Sequence, residues 1–219
     1  MSVIAIDGPA GAGKTTLARA VAKAVGWDFI DTGAMYRAIT LGAKQKGVAT
    51  DDADSLAGIA ATAQIEMRGD TVWLDGADVT ARIRERDITA AAPEVAAHPE
   101  VRKALVEWQR EIAGSRDVVM EGRDIGTVVV PDAVLKIFLN ASLPERARRR
   151  AAELDMDGSI EELEAMERTI ASRDAADSGR VASPLQKAPD AIEIDTTDRS
   201  VTEIVDEISN LLRERVDGL

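Results

Sequence analysis

The octet GPAGAGKT at residues 8–15 has the spacing GxxxxGK[ST] and directly follows a short apolar run at residues 3–6. Chemistry dictates each part of such a segment. Gly8, Gly11 and Gly13, with Pro9, Ala10 and Ala12 between them, keep side chains out of the way, so that successive backbone N–H groups can face one anion. A helix beginning near Lys14 adds its positive end. The Lys14 ammonium can reach terminal phosphates, and Thr15, followed by Thr16, offers a hydroxyl to a hydrated Mg²⁺. The segment therefore predicts a cradle for a nucleoside triphosphate and is silent about its use.

Position makes the arginines informative. The 27 basic residues comprise 20 Arg and 7 Lys, and base composition of the gene explains much of that bias. Arg37 ends the segment DTGAMYR at the close of a second apolar run, and Arg123 and Asp124 lie in EGRDIGT after a third. In open parallel sheets ligands gather at the carboxyl ends of strands, so these segments and the cradle are expected to meet in one cleft. Arg173, Asp177 and Arg180 stand at i, i+4 and i+7, one helix face if the helix lasts that far; a solvated ladder is the plain alternative. Moving a phosphoryl group between nucleotides brings many negative charges together. Mg²⁺ and planar, bidentate guanidinium groups suit that task, and no strong general base is needed.

These residues need a scaffold. Continuous apolar runs at 3–6, 29–30, 118–120, 134–139 and 191–194 predict strands of a parallel sheet covered on both faces. Helical periodicities lie between them: Leu17, Val21, Ala22 and Val25 before a capping Gly26; Val101, Leu105, Trp108 and Ile112 after Pro99; Leu163, Met166 and Ile170; Val201, Ile204, Val205, Ile208 and Leu212. The connection from 30 to 118 is too long for one crossover helix. Residues 65–79 have β-rich stretches broken at Gly69-Asp70 and Asp75-Gly76, so they predict a small antiparallel insertion. A second, charge-dense helical excursion spans 145–180 and bends near 155–158. The expected fold is α/β, a P-loop kinase core with a five-stranded parallel sheet flanked by helices. To it are added the antiparallel insertion, within 34–100, and a helical lid, 145–180, all in one domain over 1–219.

Composition narrows the function further. Twenty-seven basic against 39 acidic residues leave a net charge of −12. Such a surface opposes nucleic acid and anionic membranes. The absence of Cys excludes disulfides and thiolate sites, and a single histidine, His98, excludes a multi-His metal cage. With no long apolar segment, a soluble, cytoplasmic protein is expected, and an acidic surface without an obvious apolar patch points to a monomer. A nucleotide-dependent switch is the rival class, although the guanine-reading pattern NKxD does not occur.

Over most of its length the sequence resembles the bacterial cytidylate kinases. The resemblance rests on IDGPAGAGK (6–14), DTGAMYR (31–37), VAAHPEVR (95–102), GRDIGTVV (122–129), KIFL (136–139), Arg173-Asp174, Asp177-Ser178, Arg180, Pro184-Leu185 and IDTT (194–197). It implies ATP-dependent phosphorylation of CMP and dCMP with Mg²⁺, in pyrimidine nucleotide metabolism. Residues 8–16 would hold the ATP phosphates, and Arg146 would approach them as the lid closes. Thr32, where some members have serine, would line the acceptor site with Tyr36 and Arg37. Arg37 and Arg123 would grip the CMP phosphate, and Arg102 and Asp124 would read cytosine, whose exocyclic amine suits a carboxylate. Arg173 and Asp177 would touch the sugar, and Arg180 the transferring phosphate. Lys14, Arg123, Arg173 and Arg180 are thus the expected catalytic set. One departure is Pro93, where members often have a base-contacting serine; water or backbone would replace that contact. His98 reads as a helix-start residue.

Overall fold

The structure is a computed structural model that describes residues 1–217. The chain divides into two compact units, Met1–Phe29 with Asp117–Leu219, and Ile30–Arg116. The elements run β1 (Val3–Asp7), α1 (Lys14–Val25), β2 (Asp28–Asp31), α2 (Thr32–Gln45), α3 (Ala53–Thr62), β3 (Ile65–Arg68), β4 (Thr71–Leu74) and β5 (Ala77–Asp78). They continue with α4 (Arg86–Val95), α5 (Pro99–Ser115), β6 (Val118–Gly122), β7 (Leu135–Asn140), α6 (Leu143–Glu153), α7 (Ile160–Ser178), β8 (Ile192–Asp195) and α8 (Val201–Asp217). A 3-10 turn covers Arg82–Arg84 and a π-helical turn covers Ile125–Val129.

Five strands form a parallel sheet in the order β2-β6-β1-β7-β8. The central strand β1 is buried at every residue, which is why its apolar run is unbroken. Ile4, Ile6, Val119, Leu139 and Ile194 of the sheet join Leu17 and Val21 of α1 and Ile204, Ile208 and Leu212 of α8 in one core. Truncating a branched residue such as Ile6 in that core would cost about 2–5 kcal/mol. Gly26 closes α1 in the left-handed region, at φ 74°, and returns its N–H to the Ala22 carbonyl.

The second unit holds the antiparallel strands β3-β4-β5 and helices α2 to α5. Both predicted breaks are two-residue turns, since Arg68 pairs with Thr71 and Leu74 with Ala77. Asp75 and Gly76 both have positive φ, 50° and 82°, the geometry whose twist matches antiparallel strands. His98 precedes Pro99 at the start of α5, and its Nε2 donates to the Thr50 carbonyl at 2.7 Å, a packing role.

Two local expectations are corrected. Arg37 does not end the second strand; it lies in α2, which starts at Thr32 because the Asp31 carboxylate accepts from the Ala34 N–H at 3.0 Å as an N-cap. Arg180 is not on the helical face of Arg173 and Asp177. Helix α7 ends at Ser178, where the Gly179 N–H returns to the Ala175 carbonyl. Pro93 sits inside α4.

Candidate active site

The loop between β1 and α1 is held where no side chain would fit. A Cβ on Gly8, whose φ is 151°, would stand 2.2 Å from the Leu139 carbonyl oxygen of β7. One on Gly11 would lie 2.9 Å from the Arg146 carbonyl oxygen of α6. The loop is thus wedged between a strand end and a helix, which fixes the direction of its backbone N–H groups. No side chain caps the first turn of α1, so its donors are left to a ligand or water. Thr15 and Thr16 are exposed on that first turn.

Lys14 is buried, with Nζ donating to the Pro9 carbonyl at 2.6 Å. Burial, followed by the field of Arg123 and then Arg173, pulls its ammonium down from 10.5 to about 7, against the opposing fields of Glu121 and Asp7. A buried ammonium whose charge is resisted by two guanidiniums marks a place short of negative charge.

Asp177 organises the cations around it. Its carboxylate, only 3% exposed, accepts from Arg123 Nε at 2.8 Å and pairs with Arg180. Burial pushes its carboxyl upward, but Arg123 and Arg180 outweigh that and hold it below the usual carboxylate range. Arg173 contributes to the same field. The structure therefore brings together four of the predicted residues, Lys14, Arg123, Arg173 and Arg180, with Asp177 between the arginines.

Arg146 braces the loop. Its Nε donates to the Ala141 carbonyl and its Nη1 to the Ala10 carbonyl, each at 3.1 Å, and it pairs with Asp174. Asp174 in turn accepts from the Ala10 N–H at 3.2 Å. On the other side Arg149 donates to the Thr196 hydroxyl at 2.8 Å, and that hydroxyl donates to the Ala12 carbonyl at 3.3 Å. Asp174, Arg149 and Glu121 were not singled out by sequence reasoning. Only proximity across the fold reveals them, although Asp174 and Thr196 fall within the motif strings.

Asp7 was also missed as a site residue. It accepts from the N–H groups of Ile125 and Gly126, at 2.9 and 2.8 Å, and burial raises its carboxyl to about 6 despite those bonds. Asp124 is buried at the entry to the same π-helical turn.

The other predicted residues belong to the second unit. Arg37 Nη2 pairs with Asp31 at 2.8 Å, and Gly33 leaves room for it: a Cβ there would lie 3.1 Å from Arg37 Nη1. Buried Arg102 lies over the Tyr36 ring at 5.3 Å from its centroid and donates to the Ala96 carbonyl at 3.3 Å. Thr32 is buried in the first turn of α2. Among the described residues no group of three or more His, Asp or Glu is placed to hold a metal, and no helix is long and apolar enough to cross a membrane.

Known proteins match along nearly the whole chain. The family described as Cytidylate kinase matches residues 4–214. A cytidylate kinase from Geobacillus sp. (strain WCH70) is 49% identical over 217 residues, covering 97% of each chain. One from Caldanaerobacter subterraneus subsp. tengcongensis is 48% identical over 215 residues, covering 98% of this chain and 96% of its own. Among solved structures, a gluconokinase from Sinorhizobium meliloti 1021 aligns at TM-score 0.54 with 14% identity, covering 99% of this chain and 94% of its own. A shikimate kinase from Bacteroides thetaiotaomicron aligns at 0.50 with 18% identity, covering 97% and 98%. At those identities the structural likeness speaks for the fold alone, a P-loop kinase fold.

Proposed function

Because the chain belongs to the cytidylate kinase family, a family of nucleoside monophosphate kinases, we propose that it transfers the terminal phosphoryl group of ATP to CMP and dCMP. The products are ADP and CDP or dCDP. The observation that carries this reading is Lys14, a buried ammonium held on the Pro9 carbonyl of the glycine-rich loop, whose charge Arg123 and Arg173 oppose and a polyphosphate would favour.

An oxygen of the acceptor monophosphate attacks the terminal phosphorus of ATP and forms the new P–O bond. The bond from that phosphorus to the bridging oxygen breaks, and its electron pair stays with the ADP phosphate. The attacking oxygen is already anionic near neutral pH, so no side chain must remove a proton. The task of the protein is positioning and charge. Residues 8–16 orient the ATP phosphates by backbone N–H groups, and Lys14 follows the phosphate being transferred. Arg123, Arg173 and Arg180 stabilise the charge that spreads over its equatorial oxygens. Asp177 keeps two of these guanidiniums in place and, with Arg173, meets the acceptor sugar.

The donor set fits Mg²⁺: Thr15 is exposed on the first turn of α1, next in sequence to Lys14, and hard oxygen ligands with water and phosphates are what that ion takes. When bound it would neutralise phosphate charge there. On the acceptor side, Thr32 and Tyr36 line the monophosphate site and Arg37 binds the phosphate with Arg123. Asp124 accepts from the cytosine exocyclic amine, and Arg102 donates to the ring carbonyl and nitrogen. Residues 34–100 form the acceptor-binding insertion and 145–180 the lid, whose Arg146 already stands against the loop at Ala10 and meets the ATP phosphates from there. The enzyme acts as a cytoplasmic monomer in pyrimidine nucleotide metabolism.

Initial rates of ADP release with CMP, dCMP, UMP, AMP and shikimate test the assignment. CMP and dCMP should be the preferred acceptors. A preference for any other acceptor overturns the substrate, and ATP turnover that CMP does not raise would favour a nucleotide-dependent switch.

A further inference from the structure

We infer that Asp7 is a positioning residue for acceptor recognition: from the end of β1 its carboxylate caps the π-helical turn Ile125–Val129 and so sets the place of Arg123 and Asp124. The inference rests on the acceptor roles proposed above for those two residues.

The turn begins with a problem of unpaired donors. The Asp124 carbonyl accepts from Val128 and Val129, and the Ile125 carbonyl from Val130, at 2.8–3.2 Å, so the N–H groups of Ile125 and Gly126 have no acceptor within the turn. An aspartate in the N-cap position would ordinarily fill that need with its own side chain. Asp124 occupies the position and does not cap. Asp7 does so instead, from 118 residues away, with one carboxylate oxygen on each N–H. Asp124 is thereby relieved of capping its own turn.

Only a carboxylate presents two acceptors side by side. An asparagine of the same shape would accept from one N–H and turn its amide donors on the other. A Cβ on Gly126 would fall 3.1 Å from Lys136 Cδ and 3.5 Å from Asp7 Oδ2. Lys136 does not neutralise Asp7, because its ammonium is engaged by Asp190 at 2.9 Å. The charges that act on Asp7 are Asp124, which opposes its ionisation, and Lys14, which favours it. Burial pushes its carboxyl up to about 6, so a charged Asp7 works against folding near neutral pH. A residue present only for the fold would be better placed as a neutral side chain; a carboxylate kept at that cost serves the geometry of the turn.

The test compares wild type with Asp7→Asn, varying CMP at saturating ATP and ATP at saturating CMP, and measures thermal unfolding at about pH 8. For Asp7→Asn, KM for CMP should rise by about tenfold, the scale of one lost charge-assisted bond, and the preference for CMP over UMP should fall by a similar factor. KM for ATP should rise by much less than KM for CMP, since Asp7 is the smallest of the charges acting on Lys14, and Tm should not fall. Equal losses for both substrates, or a lower Tm with unchanged acceptor constants, would show a merely structural residue and overturn the inference. If Asp7→Asn does not fold, Asp7→Glu decides: it keeps the charge but carries the carboxylate one methylene further, out of register with the Ile125 and Gly126 N–H groups, and an unchanged KM for CMP and CMP:UMP ratio would overturn the inference. A wild-type protein that ignores CMP would instead overturn the kinase reading itself.

Discussion

Binding of ATP should draw a proton onto Lys14. In the free protein burial and the neighbouring guanidiniums lower its ammonium from 10.5 to about 7. That difference corresponds to about 5 kcal/mol, a penalty on the folded state that is complete below about pH 7 and fades as the pH rises towards the ordinary lysine value. A polyphosphate laid against Nζ reverses the balance, because several negative charges then favour the ammonium. At about pH 8 the free protein holds roughly a tenth of a proton on Lys14 and the complex close to a whole one, so uptake should be about 0.9 proton per ATP. At about pH 6 Lys14 is already charged, and uptake should be about 0.1. Titration calorimetry with ATP and Mg²⁺, without acceptor, in buffers of different ionisation enthalpy measures this directly. Lys14→Met provides the subtraction for protons released or taken up by the nucleotide. Above about pH 7 the dissociation constant of wild type should also rise by up to about tenfold per pH unit, and that of Lys14→Met should not. Uptake below about 0.2 proton at pH 8 would mean that Lys14 is fully charged before ATP arrives. Lys14 would then not mark a place short of negative charge.

Asp177→Asn should cost about 3 kcal/mol in urea unfolding near neutral pH, since it leaves Arg123 and Arg180 without their buried carboxylate. Because the folded carboxyl is held below its usual range, that stabilisation is present above the ordinary aspartate value and lost as the pH falls through the folded one, so wild type and variant should converge in acid. Gly8→Ala should destabilise by more than about 3 kcal/mol or prevent folding, because its Cβ would meet the Leu139 carbonyl oxygen; normal Tm would refute the wedged-loop geometry. Asp124→Asn should lower the discrimination of CMP over UMP by about 1–3 kcal/mol in kcat/KM, and an unchanged ratio would move base recognition elsewhere.

Much of this protein was legible in one dimension. The apolar run at 3–6 is β1, and its unbroken character follows from burial on both faces. Gly69-Asp70 and Asp75-Gly76 both mark turns because their conformational demands are local. The glycine-rich cradle was readable for the same reason: its donors come from consecutive backbone, so their spacing in sequence is nearly their spacing in space. Local patterns reach less far where two roles overlap. Asp31 both ends β2 and caps α2, which hid the helix that carries Arg37. The end of α7 at Ser178 left Arg180 beyond a face that spacing alone had extended.

Tertiary structure alone decided who meets whom. Asp7 reaches the turn at Ile125 and Gly126, Asp174 reaches Ala10, and Asp177 pairs with Arg123 across 54 residues. Periodicity records which face of an element is buried, and a motif records the chemistry of adjacent residues. Neither records the order of strands in a sheet. That order, with β1 between β6 and β7, brings the end of β1 beside the residues that follow β6. The buried charges of the site acquire partners, and shifted ionisation, only once that packing has excluded water from around them.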